Sequence, residues 1–306
     1  MLHIIINPET ASGNGGRTWK RIRPLFEKYG CRYKLHISEK PGDIGSLCHA
    51  LTSIIPPREV VNIVIVGGDG SMNEAVNSIE DFRHTRLGLI PAGSGNDLAK
   101  AILPSFDEEL LVSTIAKERT VRSVDVGLME CGDHRQLFNI SSGLGFDARI
   151  CEEANHAPMK KALNHLGLGK LIYILVAVRL ILMNHRFRCG IKLDGQKKTY
   201  RKCLFAVCMN TAYEGGGFKF CPQASDRDSV LDLCIADSID PLRFFLLFPK
   251  AYSGKHVLHR GIHILRGKKI HIKTGIPVWL HTDGEVSFKT TDVTFSVYPE
   301  KLNLLM

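Results

Sequence analysis

A chain of 306 residues is long enough for two domains, because a single hydrophobic core stops growing near ~250–300 residues. An apolar fraction of 44% and a charged fraction of 23% exclude a disordered, fibrous or low-complexity chain. The net charge of +9 calls for an anionic partner, and nine scattered cysteines without a C-x-x-C pair argue against a disulfide framework or a zinc site and for a reducing cytoplasm.

The opening run Met1-Leu2-His3-Ile4-Ile5-Ile6-Asn7-Pro8 lacks the basic and long apolar regions of a signal peptide and reads as a strand entering a turn. The turn, Asn7 to Gly16, contains Ser12-Gly13-Asn14-Gly15-Gly16. A helical pattern follows from Arg17 to Tyr29, and Pro24 within it predicts a kink or a late start, since an interior proline costs ~3 kcal/mol. Val60–Val66 is a buried strand that runs into Gly67-Gly68-Asp69-Gly70-Ser71-Met72-Asn73-Glu74. Ser71 and Glu74 have the spacing of a capping box, which predicts a helix from Ser71. Leu87–Ile90 repeats the design: it leads into Pro91-Ala92-Gly93-Ser94-Gly95-Asn96-Asp97, and Leu98–Ile102 continues as a helix that Ser94 and Asp97 could cap.

These are β-α-β units, so residues 1–125 predict a parallel sheet covered by helices, with three glycine turns at one end of it. Open α/β sheets bind ligands at that end. Free N–H groups there suit a phosphate, and Asp69, which would repel a bare phosphate, suits one that carries magnesium. None of the turns has the P-loop spacing G-x-x-x-x-G-K-[ST], and none is a G-x-G-x-x-G followed by an acid after the next strand. A P-loop NTPase and a Rossmann dehydrogenase are both disfavoured.

From Val126 the texture changes. Short alternating segments at Leu137–Ser141, Gly190–Leu193, Leu204–Met209, Leu231–Ile235, Ile270–Ile272, Val278–Leu280 and Val293–Val297 predict a mostly antiparallel β domain over residues 126–290, with residues 291–306 returning to the first domain. Helical stretches at Met159–Asn184 and Pro241–Tyr252 interrupt it. The longest apolar stretch, Leu171–Met183, is interrupted by Arg179 and falls short of the ~20 residues a membrane span needs. That stretch and Phe244–Phe248, each flanked by basic residues, read either as helices with buried faces or as surfaces that admit lipid. Lys250–Lys273 is rich in Lys, Arg and His and reads either as a solvated face or as one turned to an anion or membrane. Thr282-Asp283-Gly284-Glu285, between alternating apolar residues, is a hairpin signal.

Taken together, Gly67–Glu74 resembles the GGDGT-x-NE signature of diacylglycerol kinase catalytic domains, a superfamily that includes sphingosine, ceramide and bacterial lipid kinases. Pro91–Ala99 resembles its P-x-G-T-x-ND-F/L-A element, and Asn7-Pro8 with Ser12–Gly16 its NP-x-SG opening. Val124–Gly127, Phe138–Asp147, Asn210 with Gly215-Gly216-Gly217, Gly254–His256 and Asp283-Gly284-Glu285 follow in the family's order.

The resemblance implies an α/β, two-domain architecture like that of diacylglycerol kinases and NAD kinases. It also implies a magnesium-dependent transfer of the γ-phosphate of ATP to a lipid hydroxyl, with diacylglycerol the default acceptor. It assigns nucleotide contacts to Asn7, Ser38, Gly67, Gly68, Asp69, Gly70, Ser71, Asn73, Ser94 and Asn96. It places Asp69, Asp97 and Asp125 around catalytic magnesium, and makes Glu285 the general base, with Asp69 and Asp97 beside it as catalytic residues. A second, structural magnesium would lie on Asp228 and the backbone oxygens near Ser225 and Val230, although Arg227 and Ser229 depart from the family pattern there. Ser71 and Ser94 stand where the family has threonine and keep the hydroxyl. The implied protein is cytoplasmic, sits peripherally on a membrane that holds its lipid substrate, and could form a homodimer. It carries no nucleic-acid reader motif. The alternatives are a kinase of a soluble substrate, as NAD kinases are, and a catalytically silent lipid- or nucleotide-binding regulator.

Overall fold

In the computed structural model, which describes residues 1–56, 58–117, 121–156, 176–180, 183 and 185–306, the apolar run Leu2–Ile6 is strand β1. It pairs in parallel on both sides, with β2 (Tyr33–Ile37) and β3 (Val61–Gly67). Strand β4 (Thr85–Pro91) adds in parallel to β3. The chain's last strand, β15 (Leu302–Leu305), lies parallel to β4 and antiparallel to β5 (Val121–Val124), giving the order β2-β1-β3-β4-β15-β5. Along β3, Ile63, Val64, Ile65 and Val66 are all fully buried, as a sheet covered on both faces requires. The helices are α1 (Thr10–Lys28), α2 (Asp43–Thr52), α3 (Asp69–Val76), α4 (Asp97–Ile102) and α5 (Glu108–Lys117). Ile22 and Phe26 of α1 and Val112 and Ile115 of α5 pack on Leu2, Ile4, Ile6, Val64 and Val66.

The irregularity in α1 is not at Pro24. Ala11, Ser12 and Gly13 take left-handed backbone angles, and from there the helix continues through Pro24 to Lys28. Pro24 and Lys20 lie on the exposed side, where water can satisfy the carbonyl that proline leaves without a donor.

Residues 1–126 and 298–306 form one compact unit and residues 127–297 the other. The second unit is antiparallel β: β6 (Gly127–Cys131), β7 (His134–Phe138), β8 (Ser141–Gly145), β9 (Phe187–Leu193), β10 (Gln196–Met209), β11 (Leu231–Asp237), β12 (Ile262–Gly267), β13 (Lys269–Thr282) and β14 (Glu285–Val297). Their order is β12-β11-β10-β8-β13-β14-β6-β7, with β9 paired to both β10 and β13. Among its described residues are the helices α6 (Phe146–His156) and α7 (Pro241–Tyr252), and Phe146, Phe244 and Leu247 pack with Phe205 in one of its cores.

Two expectations change. Leu137–Ser141 is not one strand: β7 ends at Phe138 and β8 begins at Ser141, because the intervening amides bond to a carboxylate described below. Ile270–Ile272 and Val278–Leu280 are one strand, β13, whose register shifts between Lys273 and Val278. The predicted helix Met159–Asn184 and the stretch Leu171–Met183 lie largely outside the described residues, within which residues 176–180 are helical. Among the described residues no helix is long and apolar enough to cross a membrane.

Candidate functional site

The strand order 2-1-3-4 places a topological switch point between β1 and β3, where the connections leave in opposite directions. Asn7 follows β1 there, and its side-chain amide points to Ser71 Oγ at 3.4 Å. The turns after β3 and β4 meet backbone to backbone. A Cβ on Gly93 would sit 2.6 Å from Gly68 Cα, so neither loop could approach the other with a side chain in place. Ala92 N–H donates to the Gly67 carbonyl at 2.8 Å, and Asn14 reaches the Ala92 carbonyl at 2.9 Å. All three glycine turns are thereby tied into one surface at the carboxyl end of the sheet. Ser38 lies at the end of the neighbouring β2, its N–H bonded to the Ile6 carbonyl.

Asp69 joins two of the turns. Its carboxylate accepts the N–H groups of Asp97 and Leu98, each at 3.1 Å, and so caps α4 from a different element. Helix α3 itself starts at Asp69, two residues before the predicted start, and the capping box does not form: Glu74 accepts the Gly45 N–H instead, at 2.9 Å. Ser94 and Asp97 do not cap α4 either. Asn96 precedes it in a left-handed conformation (φ 53°), and its side chain bonds both the N–H and the carbonyl of Gly93. Asp97, buried, faces Lys100 Nζ at 2.9 Å, and Asp125, also buried, faces Lys301 Nζ at 2.8 Å. Asp69 and Asp97 are thus brought together around Gly95, whose absent Cβ would lie 3.2 and 3.5 Å from their carboxylate oxygens. Asp125 follows the end of β5. The two lysine partners were not singled out in the sequence; Lys100 carries a signal, its i+3 position from Asp97 on a helix.

In the second unit Asp283 and Gly284 connect β13 to β14 as a two-residue turn with φ values of 48° and 83°. Both being positive, this is the hairpin turn that Asp-Gly favours. The Asp283 carboxylate accepts the N–H groups of Asn139, Ile140 and Ser141 at 2.8–3.0 Å, which is why the β7–β8 segment breaks where it does. Glu285, the first residue of β14, is exposed.

Behind the turn lies a cluster that sequence reasoning missed. His281 is fully buried, with Nε2 at 2.8 Å from Asp147 and 3.5 Å from Glu214. Burial lowers its basicity, but the Asp147 carboxylate beside it, together with Glu214 and Asp283, raises its pKa to about 9. In the neutral ring Nδ1 can instead accept the Gly284 N–H, 3.3 Å away. Gly143 makes room for the pair, since a Cβ there would lie 2.5 Å from Asp147 Oδ2 and 3.0 Å from Nε2. The available signal was a histidine two residues before an Asp-Gly turn.

Asp228 lies in the second unit beside Arg266, whose guanidinium pairs with it and, at 3.1 Å, with the buried Asp232. Its other oxygen accepts the Val230 N–H at 3.3 Å, and Ser225 lies three residues before it. With a guanidinium already on both carboxylates, this donor set does not fit an additional magnesium ion. The glycine turns and the Asp69–Asp97 pair do fit a nucleotide and its magnesium: backbone without side chains faces the ligand end of the sheet, and two carboxylates stand at its rim.

Comparison with known proteins matches two family models. The diacylglycerol kinase catalytic domain covers residues 1–129, and the YegS C-terminal NAD kinase beta sandwich-like domain covers residues 140–306. The "Putative lipid kinase YtlR" of Bacillus subtilis is 27% identical over 306 residues, 98% of each chain. A diacylglycerol kinase of the same organism is 26% identical over 284 residues, 92% of this chain and 88% of its own. Among solved structures, a diacylglycerol kinase from Bacillus anthracis str. Sterne superposes with a TM-score of 0.71 at 20% identity, over 99% of this chain and 96% of that one. An NAD kinase from Archaeoglobus fulgidus, solved in complex with ATP, has a TM-score of 0.53 at 13% identity over 100% and 94%. Both share the fold.

Proposed function

The chain belongs to the family that joins a diacylglycerol kinase catalytic domain to a YegS C-terminal NAD kinase beta sandwich-like domain, and from that premise we propose that this kinase uses ATP to phosphorylate the hydroxyl of a membrane lipid such as diacylglycerol. The observation that carries the reading is the backbone contact of Gly68 with Gly93 beside Asp69, which leaves a bare glycine surface for phosphates at the switch point of the sheet.

In this reading the first unit binds the nucleotide. Asn7, Ser38, Gly67, Gly68, Gly70, Ser71, Asn73, Ser94 and Asn96 surround its phosphates, while Asp69 fixes the start of α4. Asp97 and Asp69 would hold magnesium, which neutralises the charge on the transferring phosphoryl group. The second unit supplies the base. Glu285 takes the proton of the acceptor hydroxyl as the hydroxyl oxygen attacks the γ-phosphorus and the bond to the β,γ-bridging oxygen breaks, releasing ADP; the Asp-Gly turn before Glu285 sets its position. Exposure of Glu285 leaves it open to an acceptor presented at a membrane surface.

The test is transfer of label from γ-labelled ATP to a panel of lipids in mixed micelles, in wild type and Glu285→Gln. Labelling of one lipid, with kcat lower by roughly 10²–10⁴ in the variant, is the expected result. An unchanged turnover in Glu285→Gln would remove the residue from the mechanism. Labelling of a soluble acceptor such as a dinucleotide, with no lipid labelled, would move the chain to a soluble-substrate kinase.

A further inference from the structure

Helix α7 has two apolar faces. Phe244, Leu247 and Ala251 are buried in the core of the second unit. Leu242, Phe245 and Leu246 point the other way and are 69%, 48% and 59% exposed, with Pro249 exposed one turn on. Positions 242, 245, 246 and 249 have the i, i+3, i+4, i+7 spacing of a single helix face, where a solvated face would carry polar residues. The short 3-10 helix Lys255–Leu258 follows and adds Leu258, 84% exposed. The Phe244–Phe248 run therefore splits between core and surface.

The charges carried by this helix and the segment after it are of one sign. Residues 241–282 contain eight Lys and Arg and no Asp or Glu. Arg243, Lys250, Lys255 and Arg260 are all exposed, and none forms an ion pair among the described residues. Burial, and then the nearby charges of Arg243, Arg260 and Lys250, hold the His259 pKa below its ordinary value of 6.5. Beside the start of α7 a hollow of about 330 Å³ is lined by Arg243, His259, Arg260 and His263 together with Asp237 and Asp240. Those two acids are already engaged, Asp240 with the Leu242 and Arg243 N–H groups and Asp237 with the Lys202 N–H and Ser238.

We propose that the outer face of α7 and the adjoining 3-10 helix dock the protein on an anionic lipid bilayer, with Leu242, Phe245, Leu246 and Leu258 entering the headgroup boundary and Arg243, Lys250, Lys255 and Arg260 meeting lipid phosphates. An apolar stripe this exposed beside unpaired cations, with the nearby acids already hydrogen-bonded, is what an interfacial helix presents. The charges bring the surface to an anionic leaflet and the apolar side chains hold it there. The inference deepens the lipid-kinase reading by naming the surface on which the acceptor is met, and its test stands apart from catalysis.

The full chain is floated with vesicles of phosphatidylcholine alone, or mixed with phosphatidylglycerol, in the absence of ATP. Wild type is expected to bind the mixed vesicles and to lose binding as salt rises. Phe245→Ser with Leu246→Ser is expected to weaken binding by at least ~10-fold, since two large apolar side chains leave the lipid. Arg243→Gln with Lys250→Gln is expected to abolish the preference for phosphatidylglycerol. Melting curves check that the variants fold, and Leu258→Ser, outside the helix, repeats the apolar test if the double variant does not. A wild type that stays unbound, or variants that bind as it does, would overturn the proposal. So would a dimer in sedimentation that Phe245→Ser with Leu246→Ser dissolves, since the face would then belong to a second copy.

Label transfer to detergent-dispersed lipid separates the two ideas. Retained by the docking variants, it leaves kinase activity standing while vesicle binding falls. Absent in a wild type that binds vesicles, it leaves the docking surface standing without the kinase.

Discussion

Asp283 takes three backbone N–H groups from the β7–β8 connection while also forming the turn that presents Glu285. Asp283→Ala would strand those donors, at ~1–3 kcal/mol each. A loss of more than ~3 kcal/mol of stability in urea unfolding is expected, with a fall in kcat as the turn loosens. His281 makes the complementary prediction for pH. Its pKa is raised from 6.5 to about 9, so the ion pairs with Asp147 and Glu214 stabilise the fold in full below pH 6.5 and are lost as pH rises through about 9. At ~1.4 kcal/mol per tenfold change in proton affinity the contribution is on the order of 3 kcal/mol. Unfolding measured across that window should show the decline in wild type and a flat profile in His281→Asn. A decline of equal size in the variant would assign the effect to another group.

At the scale of elements, the contact between the two glycine turns gives the next prediction. Gly93→Ala would push a methyl group against the Gly68 backbone, and the loops would have to part. Binding of a fluorescent ATP analogue should weaken by roughly 10-fold or more, a change that needs only ~1.4 kcal/mol. Unaltered affinity would separate the turns from the nucleotide. These turns were legible in the sequence because apolar β-strands end in glycine clusters. Helix α7 was legible to its ends, Pro241 and Tyr252, because Asp240 caps it and proline opens it.

Other elements were not. The capping boxes at Ser71 and Ser94 had the right spacing, but tertiary partners took the groups involved: Glu74 went to Gly45, and Asp69 to α4. Gly275 and Pro277 made β13 look like two strands with a turn between, whereas the structure absorbs them as a shift in register. The break at residues 139–140 could not be read at all, because its cause lies some 140 residues further along the chain.

For the molecule as a whole, the chain's final strand is the largest non-local feature. Strand β15 lies between β4 and β5, Asn303 bonds Ser123 and Phe82, and Lys301 faces Asp125. Removing residues 298–306 should therefore harm the first unit rather than the second. Limited proteolysis is expected to cut the truncated chain first within residues 1–126, with nucleotide binding lost. Early cleavage within the second unit instead would show that β15 is dispensable to its neighbours. Membership of the family and the α/β-then-β division were legible from motif order and strand texture. The cation on Asp228 was not, because Arg266 is 38 residues away in sequence and reaches it only when β11 pairs with β12.

The place of β15 also sets a schedule for synthesis. As the nascent chain leaves the ribosome, β1 to β5 emerge first, yet the gap between β4 and β5 stays unfilled until residues 302–305 arrive. At ordinary translation rates that wait is on the order of tens of seconds. During it the second unit has its own complete sheet and can fold, while the first unit exposes two unpaired strand edges that a chaperone must shield or that can mispair. The half expected to carry ATP is therefore the last to be finished, although it is the first to be made.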